Sequence, residues 1–154
     1  MRAIKITLLV LLIVIIGIQF IQPAPNKSGQ VLETDITKTV EVPKNIQAIL
    51  KSSCYDCHSN NTEYPWYSKI QPGGWWMASH IKEGKSELNF DEFGSYSKRR
   101  QQSKLKSIAN TIEDGTMPLS SYTFIHKNAI LSNKDKTLLL NWTETTKESL
   151  SLKN

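Results

Sequence analysis

Cysteine is scarce in this chain, with two in 154 residues, so no disulfide framework holds it together. Glycine (7) and proline (6) are too sparse for a collagen-like sequence or a Pro/Gly-rich disordered one. No charge of one sign dominates: 19 Lys+Arg stand against 14 Asp+Glu, a net +5. That surplus is too small to argue for nucleic acid as a partner. The one basic run, Lys98-Arg99-Arg100 with Lys104 and Lys106, reads as the solvated face of a helix. A mean hydropathy of -0.36 excludes a polytopic membrane protein. What remains is a length suited to one small domain, preceded by one very apolar stretch.

That stretch runs from Ala3 to Ile21 with only Lys5 interrupting it. As a helix it would approach the thickness of a bilayer core. Arg2 and Lys5 precede it, which by the positive-inside bias leaves the rest of the chain on the far side. It ends in Gln22-Pro23-Ala24-Pro25, which lacks the small-residue cleavage pattern of a signal peptide. The expectation is an uncleaved, single-pass anchor over residues 1–22. A polar linker at 23–40, a folded domain at 41–148 and a short tail at 149–154 follow.

Both cysteines fall in Cys54-Tyr55-Asp56-Cys57-His58. A C-x-x-C-H motif reads as covalent haem attachment, with a redox pair and half of a zinc site as competitors. On a helical turn the two sulfurs share a face and can reach both vinyl groups of one haem, while His58 offers a nitrogen to the iron. Zinc would need a fourth ligand, and the sequence has no second C-x-x-C and no H-x-x-x-H. A redox pair would need a βαβ setting that is not visible. Before the motif, Pro43 suits a helix start, and Ile46, Ile49, Leu50 and Cys54 recur along one stripe. The cofactor expected is one covalent haem c.

The iron's second axial position has four candidates: Met117, His126, His80 and Met77. Met117 leads. A helix carrying Leu105, Ile108, Ala109 and Ile112 precedes it and stops near Gly115. Pro118 then biases Met117 toward an extended backbone. His80 and His126 are the alternatives, and Met77 reads as core. A capping box at Ser132–Asp135 opens a last helix with Leu138, Leu139 and Trp142.

Between His58 and the next helix, residues 59–76 hold three of the four tryptophans. Trp66, Trp75 and Trp76, with Tyr122 further on, are candidate haem-pocket residues. Pro72 is the expected source of a carbonyl that orients the His58 ring.

The order of these features resembles small class I cytochromes c. Cys54–Asn60, Tyr64-Pro65-Trp66-Tyr67-Ser68, Trp75-Trp76, Leu88-Asn89-Phe90 and Met117-Pro118 with Tyr122 and His126 together resemble the bacterial haem-binding domain family, over roughly Thr37 to Thr145. The resemblance implies Cys54 and Cys57 as attachment residues and His58 as the proximal ligand, and it supports Met117. The expectation is an all-α, cytochrome c-like domain behind one transmembrane helix in the bacterial inner membrane. The haem domain would lie in the periplasm, passing electrons to redox partners in or at the membrane and catalysing no reaction of its own. The alternatives are a haem peroxidase or gas sensor with an open distal site, and a non-redox module stapled by its haem.

Overall fold

The computed structural model describes residues 1–152. Eight α-helices follow one another: α1 (Arg2–Ile18), α2 (Ile36–Thr39), α3 (Lys44–Ser53), α4 (Tyr55–His58), α5 (Gly73–Glu87), α6 (Lys98–Glu113), α7 (Ser120–Ile125) and α8 (Asn133–Leu152). Short 3-10 turns lie at Trp66–Lys69, Phe90–Ser95 and Lys127–Ala129. Among the described residues the only strand-like pairing is an isolated bridge between Lys27 and Asn61. The all-helical expectation therefore stands for this part of the chain.

The transmembrane helix does not. α1 stops at Ile18 after 17 residues, about 25 Å at helical rise and short of the ~30 Å hydrocarbon core. No helix among the described residues is long and apolar enough to cross a membrane. The expected single-pass anchor, and the inner-membrane placement that rested on it, lose their support. The apolar run ends early as helix because of partners distant in sequence. The Gln19 side chain donates to Gln71 O (3.2 Å) and accepts from Gln71 N (2.8 Å). Gln22 bonds Lys69 O (3.0 Å) and the Gln71 side chain (3.0 Å). These contacts turn Phe20 and Ile21 across the start of α5 rather than onward along the helix.

The segment expected to be a linker is also folded against the rest. Asn26 Nδ2 donates to Ser59 O and Thr62 Oγ1, and its Oδ1 accepts from Lys85 Nζ. Asp35 caps α2 through Thr37 N (2.8 Å), and Ile36 is fully buried. At the other end, residues 149–152 of the expected tail continue α8, and its last two residues lie outside the described ones.

One core joins these pieces. α6 contributes Leu105 and Ile112, and α8 contributes Leu139, Trp142 and Leu150. Spaced by seven residues on α6 and by three and eight on α8, both sets lie on one helical stripe. Ile46 and Leu50 from α3, with Leu88, Phe90 and Phe93, complete it. Trp142 Nε1 donates to Glu41 O (3.0 Å), tying the last helix to the entry of α3. The expected start and stop signals are met. Ser132 N donates to Asp135 Oδ2 while Asp135 N donates to Ser132 Oγ. Gly115 takes φ +67° just beyond α6, the left-handed conformation that closes a helix at least cost for glycine. The basic run sits exposed on the first turn of α6.

Candidate haem site

α3 delivers the motif. Its helical bonding continues into the next turn, with Cys54 N donating to Leu50 O (2.9 Å) and His58 N to Cys54 O (3.0 Å). Cys54 and Cys57 are free thiols. Burial, with Cys57 as a lesser influence, pushes the Cys54 thiol up to about 12; burial and then Asp56 push Cys57 up to about 11. Both therefore stay protonated at neutral pH and are poor nucleophiles by themselves.

The His58 ring is fixed from one side. Its Nδ1 lies 2.9 Å from Leu88 O, and Phe90 presents an edge to it at 6.2 Å. A carbonyl at Nδ1 selects the tautomer with the proton there, which leaves the Nε2 lone pair free to ligate. The orienting carbonyl is thus that of Leu88, beyond α5, rather than one flanking Pro72. Pro72 instead caps the start of α5.

Two cavity lobes meet at this ring. One, of 350 Å³, is walled by apolar groups including Phe90, Ile108, Ile112 and Leu131. The other, of 370 Å³, has Cys57, His80, Glu83 and Tyr122 in its lining. Cys54, His58 and Met117 line both. Each lobe has the size of a small-molecule site. α5 lies close on this turn: a Cβ on Gly84 would stand 2.7 Å from Cys57 O, a distance only glycine avoids.

Met117 thus stands in the same cleft as His58, on the loop between α6 and α7. Its backbone N donates to Thr111 O (3.1 Å), and 36% of the residue is exposed. His80 lines the Cys57 lobe, with Nε2 buried and unpartnered. His126 stands elsewhere. It borders a separate cavity of 1030 Å³, its Nε2 is 2.5 Å from the Tyr67 hydroxyl, and its ring stacks on Tyr122 at 4.3 Å. Tyr122 borders both the cleft and that cavity.

The three tryptophans do not line either lobe. Trp66 is 78% exposed and Trp76 is 54% exposed, while Trp75 Nε1 donates to Ile21 O (2.8 Å) beside the end of α1. They follow the motif closely in sequence, but the turn at Trp66–Lys69 and the start of α5 carry them away from it.

Several site residues were not foreseen. Leu88 acts through a backbone carbonyl, which no side-chain pattern encodes. Phe90 is 1% exposed and stacks on Tyr55 at 5.0 Å. Asp56 holds the motif turn from outside: it accepts from Glu63 N (2.9 Å) and from the Tyr122 hydroxyl (2.6 Å). Leu88 and Phe90 occur among the residues that carry the family resemblance, the one signal available for them, whereas Tyr122, a candidate pocket residue, does line the cleft.

The residues present fit a covalently held haem. Two thiols three positions apart, an imidazole with its ligating nitrogen bare, and an apolar wall meet in one cleft. Among known proteins, the family model described as the haem-binding domain matches residues 13–145. No curated protein and no solved structure matches the chain.

Proposed function

The chain belongs to the haem-binding domain family, and from that premise we propose that it is a mono-haem c-type cytochrome that carries electrons between protein partners. Cys54 and Cys57 would hold the haem through thioether bonds to its two vinyl groups. His58 and Met117 would hold its iron through an imidazole nitrogen and a thioether sulfur. The observation that carries this reading is the shared cleft: Cys54, His58 and Met117 line both of its lobes.

When bound, the haem supplies an iron that changes charge by one electron. The chain's residues set the conditions for that change. Leu88 O keeps the proton on His58 Nδ1 and strengthens the ring as a donor. Phe90, Ile108, Ile112 and Leu131 exclude water from one lobe, which lowers the local dielectric and is one lever on potential. Met117 as the second ligand would raise the potential further and would leave no open iron site for oxygen or peroxide.

Optical spectroscopy of the ferric holoprotein tests this. The expected result is a low-spin spectrum with the weak red charge-transfer band of methionine sulfur on iron, lost in Met117→Ala. A high-spin parent spectrum would overturn the electron-carrier reading in favour of an open site.

A further inference from the structure

His80 Nε2 is buried with no hydrogen-bond partner. Leaving such a group unsatisfied is costly, so a buried polar atom of this kind points to a partner supplied by something other than the chain. Its position says what. His80 precedes Gly84 by one helical turn on α5, so the two share a face. Gly84 marks where that face meets the motif, against Cys57 O. His80 accordingly lines the lobe shared with Cys54, Cys57, His58 and Met117.

The unpartnered nitrogen is the same one as in His58. In His58 an oxygen stands at Nδ1, the Leu88 carbonyl at 2.9 Å, and Nε2 is the free nitrogen. In His80 Nε2 is again the free nitrogen, while Glu83 Oε2 stands 3.9 Å from Nδ1, beyond hydrogen-bond distance. Trp76 holds the ring edge-on, with centroids 4.4 Å apart. His126, by contrast, has its Nε2 engaged by Tyr67.

We propose that His80 is a reserve axial ligand: its Nε2 takes the distal position on the haem iron when Met117 is absent from it. The inference rests on Met117 being the resident ligand. Met117 sits on a loop and is partly exposed, whereas His80 is carried by a helix packed on the motif. Loss of the thioether would then give a second low-spin haem rather than an open one.

The test compares haem-loaded Met117→Ala with Met117→Ala/His80→Ala and Met117→Ala/His80→Gln, the last retaining side-chain bulk should the alanine variant fold poorly. Ferric spin state and carbon monoxide binding to the ferrous form are the readouts. The expected result is a low-spin single variant without the sulfur band. Both double variants should be high-spin, bind carbon monoxide many-fold faster, and return to low spin on adding imidazole. A single variant that is already high-spin and binds carbon monoxide as fast as the doubles would overturn the proposal. Absence of the sulfur band from the parent would sink the Met117 assignment itself. If the parent also becomes high-spin on His80→Ala, His80 is the resident ligand and the reserve role is overturned with it.

Discussion

The Tyr122 hydroxyl donates to Asp56 Oδ2 at 2.6 Å, across 66 positions of sequence. Asp56 lies inside the C-x-x-C-H motif, and Tyr122 is on the helix entered just after Met117 and Pro118. This bond therefore ties the segment carrying the distal candidate to the turn carrying the attachment residues. Tyr122→Phe removes the donor and leaves Asp56 with the Glu63 N–H on its other oxygen. A loss of about 1–3 kcal/mol in denaturant unfolding is expected, with earlier thermal loss of the sulfur-to-iron band. An unchanged unfolding midpoint would show that the bond holds nothing in place.

The same tyrosine gives the fold an alkaline limit. Burial, followed by the hydrogen bond to Asp56, raises the Tyr122 pKa above its ordinary value. Burial does the same for Tyr55 and Tyr67. A raised folded-state pKa means that the unfolded chain releases these protons first. Stability is thus fully present below the ordinary tyrosine pKa of about 10 and falls as pH rises beyond it. Unfolding free energy measured against pH should decline above that point, with a shallower decline in Tyr122→Phe.

Gly84→Ala sets two effects against each other. Alanine favours a helix interior by about 1 kcal/mol over glycine. Its Cβ, however, would stand 2.7 Å from Cys57 O and 3.2 Å from Cys57 Cβ, and the nearest of these atoms is backbone. The motif turn or α5 must shift, and such overpacking costs about 1–3 kcal/mol. The expected outcome is net destabilisation together with a perturbed haem spectrum. A variant more stable than the parent would show that α5 can move away freely.

Covalent attachment has its own test. In the parent holoprotein, haem should remain with the polypeptide through extraction by acidified organic solvent. In Cys54→Ala/Cys57→Ala, any haem retained through His58 should be extracted. Haem that stays with the doubly substituted chain would remove the thioether assignment while leaving haem binding itself intact.

What could be read from the sequence was local. Cys54, Cys57 and His58 are adjacent, so their spacing alone defines a shared face. Ser132 and Asp135 form their reciprocal cap within one turn, and Gly115 ends α6 by its own backbone freedom. What could not be read depends on partners far away. Leu88 reaches His58 through a carbonyl that any residue would possess. Residues 23–40 look like a linker because they are polar, yet Asn26 uses those polar atoms to bind Ser59, Thr62 and Lys85. The tryptophans looked like haem wall because they follow His58 closely, but the turn at Trp66–Lys69 directs them toward the end of α1 and solvent.

The end of α1 was misjudged for the same reason, and Gln71 is where it can be tested. Gln71 is 4% exposed. Its backbone N donates to Gln19 Oε1 at 2.8 Å, while its Nε2 donates to Gln22 Oε1 at 3.0 Å. Its Oε1 accepts from Trp75 N at 3.0 Å, joining the clasp to the first turn of α5. Gln71→Ala removes both side-chain bonds. At about 0.5–1.5 kcal/mol each, the loss is modest for the whole fold but large for the junction. Cleavage by a nonspecific protease between residues 18 and 25 should accelerate in Gln71→Ala, and again in Gln19→Ala/Gln22→Ala, with the haem spectrum unchanged in both. Cleavage as slow as in the parent would mean that the clasp does not hold α1, and that the turn at Phe20 and Ile21 is kept by its own backbone bonds and by Trp75 Nε1 on Ile21 O.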